Sequence, residues 1–105
     1  EAEYSATIAS RSSDAEATLS RAVGKHCESG DIVVRHALLP SDVSVNDLLA
    51  VPATGAYCFS LSSNYNYLPR PAVIAVKGGT AKVLIRAETE RDLLERDAGF
   101  EPGEA

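Results

Sequence analysis

The sequence has no methionine and no tryptophan, and its two cysteines are Cys27 and Cys58. Because it lacks an initiator methionine, we expect it to be processed or cut from a longer chain. Two cysteines without a CxxC spacing predict no zinc site, so no metal is expected, and a disulfide between them is allowed but not implied. No signal-peptide pattern opens the chain, and no apolar run approaches the roughly 20 residues that span a bilayer. These absences favour a cytoplasmic protein.

The chain is also short of positive charge. Its 105 residues carry a formal net charge of -5, which argues against nucleic acid and against an anionic membrane surface as partners. The length suits one domain with a core of modest size. We therefore expect a single small globular domain that binds neither nucleic acid nor membrane.

Short apolar runs separated by turn residues predict a mainly β domain, a barrel or a sandwich with one short terminal helix. Two glycines at 78–79 lie between the strand-like runs 72–76 and 82–86, and such a pair is typical of a tight hairpin turn. A Ser-Gly turn between the runs 23–28 and 31–35 predicts a second hairpin.

The predicted helix lies near the end of the chain. Thr89, with Asp92 three residues later, has the spacing of a helix cap followed by an acidic first turn. Gly99 is expected to end this helix, and residues 98–105 are expected to be a flexible tail.

The remaining segments have less regular patterns. Residues 11–20 are predicted to be a long loop, and 62–71 a second loop. Residues 47–51 and 56–61 are predicted to be strand-like, although the leucines of the first would also suit a helix. Pro40 is expected to interrupt any strand that reaches it.

The run Cys-Glu-Ser-Gly-Asp at 27–31 leads into an apolar strand and could hold side chains for chemistry. Cys27 is a candidate catalytic residue, because a thiol beside cationic neighbours such as Lys25 and His26 can exchange protons near neutral pH. Glu28 is a candidate ligand for a substrate amine. A structural interpretation, with a small buried cysteine and a solvated glutamate, is also open.

Tyr57 follows Gly55, whose lack of a side chain would let a ligand or another backbone approach. Its phenol could hydrogen-bond a phosphate or a carboxylate, and a core or interface tyrosine is an equal alternative. Cys58, the next residue, is expected to face the core. The run Tyr-Asn-Tyr at 65–67 is either an aromatic patch for a partner subunit or a plain loop.

The run Val-Gly-Lys-His-Cys-Glu-Ser-Gly-Asp at 23–31, the run Ala-Thr-Gly-Ala-Tyr-Cys-Phe-Ser at 53–60 and the following Tyr65-Asn66 resemble the C-terminal region of the bacterial diaminopimelate decarboxylase family. The run Arg-Pro-Ala-Val at 70–73 resembles the next strand of the same family. The related ornithine and arginine decarboxylases share the fold but differ around the cysteine turn.

This resemblance implies a lyase of lysine biosynthesis that converts meso-2,6-diaminopimelate into L-lysine and carbon dioxide. Enzymes of the family are pyridoxal 5'-phosphate-dependent homodimers with an N-terminal (β/α)8 barrel and a C-terminal β-domain of the alanine racemase-like, group IV decarboxylase type. The resemblance implies that Cys27 returns a proton to the substrate carbanion or positions the substrate, in the site of the partner subunit. It implies that Glu28 binds the distal amino group and that Tyr57 contacts cofactor and substrate.

The chain departs from the family by what it omits, since the TIM barrel, the Schiff-base lysine and the phosphate-binding glycines are absent. We therefore expect residues 1–97 to be an N-terminally incomplete C-terminal β-domain. Its partners would be the barrel domain and a second subunit, and it would be inactive alone. Two alternatives stay open: a free-standing β-domain with a binding or assembly role, and a cysteine-dependent enzyme built on Cys27.

Overall fold

The computed structural model describes residues 3–101, which form two compact units that divide between Leu61 and Ser62. The first unit contains four strands and a helical turn: β1 (Thr7–Ile8), β2 (Ala17–Val23), β3 (Ile32–Pro40), β4 (Leu49–Ala50) and α1 (Cys58–Leu61). The second contains β5 (Val73–Lys77), β6 (Thr80–Ile85) and α2 (Glu90–Leu94). The mainly β fold with a short helix near the end is thus confirmed.

The strands pair two by two, and every pair is antiparallel. β1 pairs with β4, β2 with β3, and β5 with β6. Within residues 3–101 no sheet closes on itself to form a barrel. No helix in this part of the chain is long and apolar enough to cross a membrane.

The core of the first unit lies on one face of β3, where Val34, Ala37 and Leu39 are buried. Strict alternation along a strand would not place both Val34 and Ala37 on the same face. The register explains the spacing, because Ser20 lies opposite Ala37 while Ala22 lies opposite Val34, so β3 has one extra residue in this stretch. Such a bulge resets the alternation and leaves two polar residues, Arg35 and His36, exposed.

Two predictions for this hairpin are wrong. The segment predicted as a loop at 11–20 ends in strand, since β2 begins at Ala17. Its polar sequence is weak evidence against a strand once the apolar β3 lies beside it, because pairing and packing override local preference. Pro40 does not interrupt β3 but is its last residue, opposite Ala17, where a missing N–H costs little.

The run 56–61, predicted to be strand-like, contains the helical turn α1 instead. The Tyr57 carbonyl accepts hydrogen bonds from the Leu61 N–H and from the Ser60 hydroxyl, each at 3.0 Å. Serine side chains compete for backbone groups in this way and so favour a local turn over a ladder. The run 47–51 contributes only the two-residue strand β4.

The predictions for the second unit rest on local signals and are mostly confirmed. Gly78 and Gly79 have φ values of 56° and 76°, the left-handed values that a tight hairpin turn needs, and they join β5 to β6. Thr89 caps α2 in a reciprocal arrangement: its hydroxyl accepts from the Asp92 N–H at 3.2 Å, and the Asp92 carboxylate accepts from the Thr89 N–H at 2.9 Å.

The end of α2 is not where the sequence indicates. The helix ends at Leu94, well before Gly99, so the predicted stop is wrong. Gly99 lies in a turn in which its N–H donates to the Asp97 carboxylate at 2.8 Å. Of the predicted tail 98–105, residues 102–105 lie outside the described residues.

An ion pair joins two loops of the first unit. The Arg11 guanidinium donates to both carboxylate oxygens of Asp47, each at 2.7 Å, and the Ser44 N–H donates to the same carboxylate at 2.8 Å. Arg11 also donates to Asp42 at 3.4 Å. These donors, Arg11 first, lower the pKa of Asp47 to about 2.

This pair predicts a pH dependence of stability. The carboxyl of Asp47 has a lower pKa in the folded chain than its unfolded value of about 3.9, so its contribution is present above that value and is lost as the pH falls toward about 2. The urea midpoint of D47N should therefore lie below that of the parent at about pH 6. The difference between the two midpoints should become smaller in acid. D14N, at an exposed aspartate, is the control. A gap that does not change with pH would contradict the assignment.

Candidate functional site

The loop at residues 24–31 joins β2 to β3 and contains the predicted site residues Cys27 and Glu28. The Gly24 N–H donates to the Asp31 carbonyl at 2.9 Å and closes the base of the loop. Inside it, the Glu28 N–H donates to the His26 carbonyl at 2.8 Å, and the Asp31 N–H donates to the Glu28 carbonyl at 3.2 Å. The predicted hairpin is confirmed, but its connection is longer than two residues, because β2 ends at Val23.

Cys27 and Glu28 are both exposed, and the Cys27 thiol is not in a disulfide. The exposure of Cys27 contradicts the interpretation of this residue as a buried core cysteine. A Cβ added to Gly30 would lie 2.8 Å from a Glu28 carboxylate oxygen, so the carboxylate of Glu28 lies directly over that glycine. The loop therefore presents a thiol and a carboxylate to solvent on consecutive residues.

The Asp31 side chain makes contacts inside this loop that were not predicted from the sequence. Its Oδ2 accepts from the His26 N–H at 2.8 Å and lies 3.1 Å from His26 Nδ1. Both side chains are about three-quarters shielded from solvent. A Cβ at Gly24 would overlap the Asp31 carboxylate, so a larger residue there would have to displace that carboxylate. His26 belongs to the run 23–28, predicted to be one side of the hairpin, but it lies in the loop and is half-buried.

Tyr57 lies on a separate segment of the first unit, just before α1, and its side chain is 74% exposed. The contacts of its carbonyl with Ser60 and Leu61 anchor the backbone there, which leaves the phenol at the surface. This position contradicts the alternative of a core tyrosine and leaves the ligand and interface interpretations. A phenol so placed can donate or accept one hydrogen bond to a group brought from outside the unit.

Cys58 is half-buried, and its sulfur lies 3.5 Å from the Tyr4 hydroxyl. It faces inward as predicted, although the reason is a helical turn and not strand alternation. The hydrogen bond with Cys58, followed by electrostatic repulsion from the thiolate form of that residue, raises the pKa of the Tyr4 hydroxyl. Cys58 is not in a disulfide either, so the structure pairs neither cysteine in one.

A cavity of about 470 Å³ opens beside the loop. Gly30 and the first residues of β3 form one wall, and Tyr4 and Leu61 lie on its lining. It is lined by charged groups of both signs, Glu3 and Arg35, and also by His36. The cavity provides room next to Gly30 for a small charged molecule or for another segment of protein.

The second unit presents the aromatic run 65–67 in a constrained turn. The side chains of Tyr65 and Tyr67 are 50% and 75% exposed. Asn66 and Tyr67 have φ values of 57° and 58°, the left-handed region that residues other than glycine rarely adopt. Exposed aromatic residues in a fixed turn fit the interpretation as a contact patch better than that of a plain loop.

A polar network anchors this turn and was also missed by the sequence analysis. The Arg70 guanidinium donates to the Ser62 hydroxyl and to the Asn64 side-chain oxygen, each at 2.8 Å. One Glu88 carboxylate oxygen accepts from the Asn64 amide at 2.8 Å and from the Arg70 N–H at 2.7 Å. These donors, Asn64 first, lower the pKa of Glu88.

Neither a metal site nor a complete cofactor site is formed by residues 3–101. No cluster of three or more histidine, cysteine, aspartate or glutamate side chains in this range could hold a metal ion. The three lysines, Lys25, Lys77 and Lys82, are all exposed, whereas an imine-forming lysine needs a desolvated environment. The described part of the chain presents Cys27 and Glu28 on one exposed loop and Tyr57 on a separate exposed segment.

Comparison with protein families gives one matching domain. The family model described as pyridoxal-dependent decarboxylase, C-terminal sheet domain, matches residues 2–55. That range includes the Cys27–Glu28 loop and stops two residues before Tyr57.

Curated relatives with the name diaminopimelate decarboxylase match most of the chain. The relative from Mycobacterium tuberculosis is 56% identical over 93 residues, which is 89% of this chain and 21% of that protein. The relative from Corynebacterium efficiens is 53% identical over 93 residues, and the one from Bacillus subtilis is 42% identical over 103 residues. The chain thus spans about a fifth of the length of these relatives.

Solved structures of similar proteins agree with the family model and the curated relatives. A crystal structure of diaminopimelate decarboxylase is 33% identical, with a TM-score of 0.73, over 89% of this chain and 24% of that one. A crystal structure of a protein from Aquifex aeolicus is 28% identical, with a TM-score of 0.82, over 94% of this chain and 24% of that one. The fold of the described residues is therefore that of one part of larger proteins.

Proposed function

This chain belongs to the family of the pyridoxal-dependent decarboxylases, whose C-terminal sheet domain it matches, and from that premise we propose that it is part of a diaminopimelate decarboxylase. The intact enzyme would convert meso-2,6-diaminopimelate into L-lysine and carbon dioxide. The observation that carries the proposal is the 56% identity to the Mycobacterium tuberculosis enzyme across a region that includes the exposed Cys27–Glu28 loop.

The proposed roles follow from what each side chain offers. Glu28 carries an exposed carboxylate, which suits the distal ammonium group of the substrate. Cys27 presents an exposed thiol that holds a proton for the substrate carbon after carbon dioxide leaves. Tyr57 presents an exposed phenol that contacts cofactor and substrate.

Pyridoxal 5'-phosphate supplies the electron sink in enzymes of this type. The described residues do not fit that group by themselves, because none of the three lysines is buried. We assign the cofactor lysine and phosphate site to an N-terminal barrel domain of the intact protein. Residues 1–97 would then be the C-terminal β-domain of a cytoplasmic homodimer.

The small core supports the proposal that this chain is one part of a larger enzyme and packs against a partner domain. Among residues 3–61 three residues are buried, all on β3, and each such side chain contributes only roughly 1–3 kcal/mol. The hairpin of β5 and β6 is exposed along nearly its whole length, and Val76 is 74% exposed there. A free-standing domain would leave this apolar surface in water, so the structure favours the decarboxylase part over an independent binding module.

A chimera tests the proposed function. This chain would replace the matching region of the Mycobacterium tuberculosis enzyme, and lysine formation from meso-diaminopimelate would be assayed. Because the graft supplies the same groups on the same fold, we expect kcat/KM within about tenfold of the parent. The parent enzyme truncated before the graft, and this chain alone with cofactor, should form no lysine.

Two results of these experiments would contradict the proposals. A chimera that folds and binds the cofactor but forms no lysine would contradict the proposal. A visible imine absorbance from this chain mixed with pyridoxal 5'-phosphate would contradict the assignment of the cofactor lysine to another domain.

A further inference from the structure

We propose that Asp31 is a positioning residue for Cys27 and Glu28, and that its carboxylate sets the conformation of the loop 24–31. This inference rests on the proposed function, since it concerns the same candidate site. It adds a residue that the sequence pattern alone does not assign to any role.

One carboxylate oxygen of Asp31 contacts both the backbone and the ring of His26. Asp31 Oδ2 accepts from the His26 N–H at 2.8 Å and, when Nδ1 carries a proton, from the His26 ring at 3.1 Å. Backbone and side chain of His26 are thereby fixed at the same point. His26 precedes Cys27 directly, so this contact sets the direction in which the backbone enters Cys27.

Asp31 also holds the residue after Cys27. Its N–H donates to the Glu28 carbonyl at 3.2 Å. The neighbours on both sides of Cys27 are therefore bound by one residue, His26 through the carboxylate and Glu28 through the backbone. The side chains of His26 and Asp31 are partly shielded from water, which strengthens the bonds between them relative to bonds at an open surface.

Asp31 also packs closely against Gly24 at the start of the loop. The Asp31 carbonyl accepts from the Gly24 N–H at 2.9 Å, and the Asp31 carboxylate occupies the space where a Cβ of residue 24 would lie. The carboxylate is thus packed against backbone on one side and bonded to His26 on the other. It acts as an internal support for an otherwise exposed loop.

Such support matters because surface loops are usually mobile, while reacting groups must be held to within about 0.5 Å. A misplacement of about 1 Å can lower a rate by about 10²-fold. An exposed thiol and carboxylate on a connection of this length would not meet that requirement without a fixed backbone. Asp31 supplies it.

The test uses the chimeric enzyme with D31A, D31N and, as control at an exposed aspartate, D14A. D31A should lower kcat/KM by about 10–100-fold and should speed amide hydrogen exchange at His26 and Glu28 by about fivefold or more. D31N keeps an acceptor oxygen of the same size and should recover most of the activity and protection. G24A, which displaces the carboxylate while keeping it, should resemble D31A.

Two results would overturn the inference. One is a D31A enzyme with the kcat/KM of the parent and unchanged amide exchange at His26. The other is an equal loss of kcat/KM and of melting temperature in D31A and D31N, which would indicate a general structural role. Amide exchange needs no substrate, so it separates the two proposals: if the chimera forms no lysine while exchange at His26 still depends on Asp31, the proposed function is wrong and control of the loop by Asp31 stands.

Discussion

Replacing Glu28 with alanine in the chimeric decarboxylase is expected to lower kcat/KM for meso-diaminopimelate by about 10²-fold, mainly through a higher KM. A carboxylate that binds an ammonium group contributes a charge-assisted hydrogen bond, and its removal leaves that cation unpaired in the closed site, at a cost of roughly 2–5 kcal/mol. Because Glu28 would contact the end of the substrate that does not react, its contribution should be similar in the ground state and the transition state. Steady-state kinetics with the substrate varied measures both constants.

Two matched variants sharpen this test. E28Q keeps the hydrogen-bonding oxygen and loses the charge, so it should fall between E28A and the parent. E16A changes an exposed glutamate just before β2, away from the loop, and should leave both constants unchanged. An E28A enzyme with the KM of the parent would remove Glu28 from the substrate site.

Replacing Cys27 with alanine should instead lower kcat, by about 10²–10⁴-fold, with little change in KM. A positioned group that moves a proton in the transition state contributes about this much, and it adds little to the binding of the ground state. C27S keeps a smaller proton donor at the same position and should retain part of the activity. Single-turnover measurements would show whether the slowed step follows the release of carbon dioxide.

The control for Cys27 is the other cysteine. Cys58 is half-buried against the Tyr4 hydroxyl, so C58A should affect thermal stability more than turnover. A C27A enzyme that turns over like the parent, with Cys58 intact, would contradict the proposed proton transfer. Equal losses in C27A and C58A would point to packing and not to chemistry.

The features predicted correctly from sequence are those set by a few neighbouring residues. Gly78 and Gly79 specify their turn because few other residues adopt both left-handed values without strain. Thr89 and Asp92 specify the start of α2 because each bonds to the backbone of the other. No distant contact is needed in either case, so local sequence is sufficient.

The features predicted wrongly depend on contacts that local sequence does not encode. β2 begins inside a polar run because β3 pairs with it, and Pro40 fits because it is the last residue of its strand. The run after Tyr57 forms a helical turn because Ser60 and Leu61 bond to the Tyr57 carbonyl, although its apolar residues suit a strand equally well.

The residues of the candidate site also differ in whether local sequence could predict them. Cys27 and Glu28 could be singled out because their turn is visible in the order of residues. Asp31 could not, since nothing in the sequence says that its side chain turns back onto His26 and Gly24. The pair of Arg70 and Glu88 is separated by 18 positions, and such long-range partners follow only from the fold.

The most direct test of the account is a crystal structure of the chimeric enzyme with L-lysine or meso-diaminopimelate bound. The quantity to measure is the distance from a Glu28 carboxylate oxygen to the distal amino nitrogen of the ligand. We expect a distance of about 2.7–3.2 Å, the range of a direct hydrogen bond, with the Cys27 sulfur facing the reacting end of the ligand. A distal amino group bound by other residues, with Glu28 beyond about 4 Å, would contradict it.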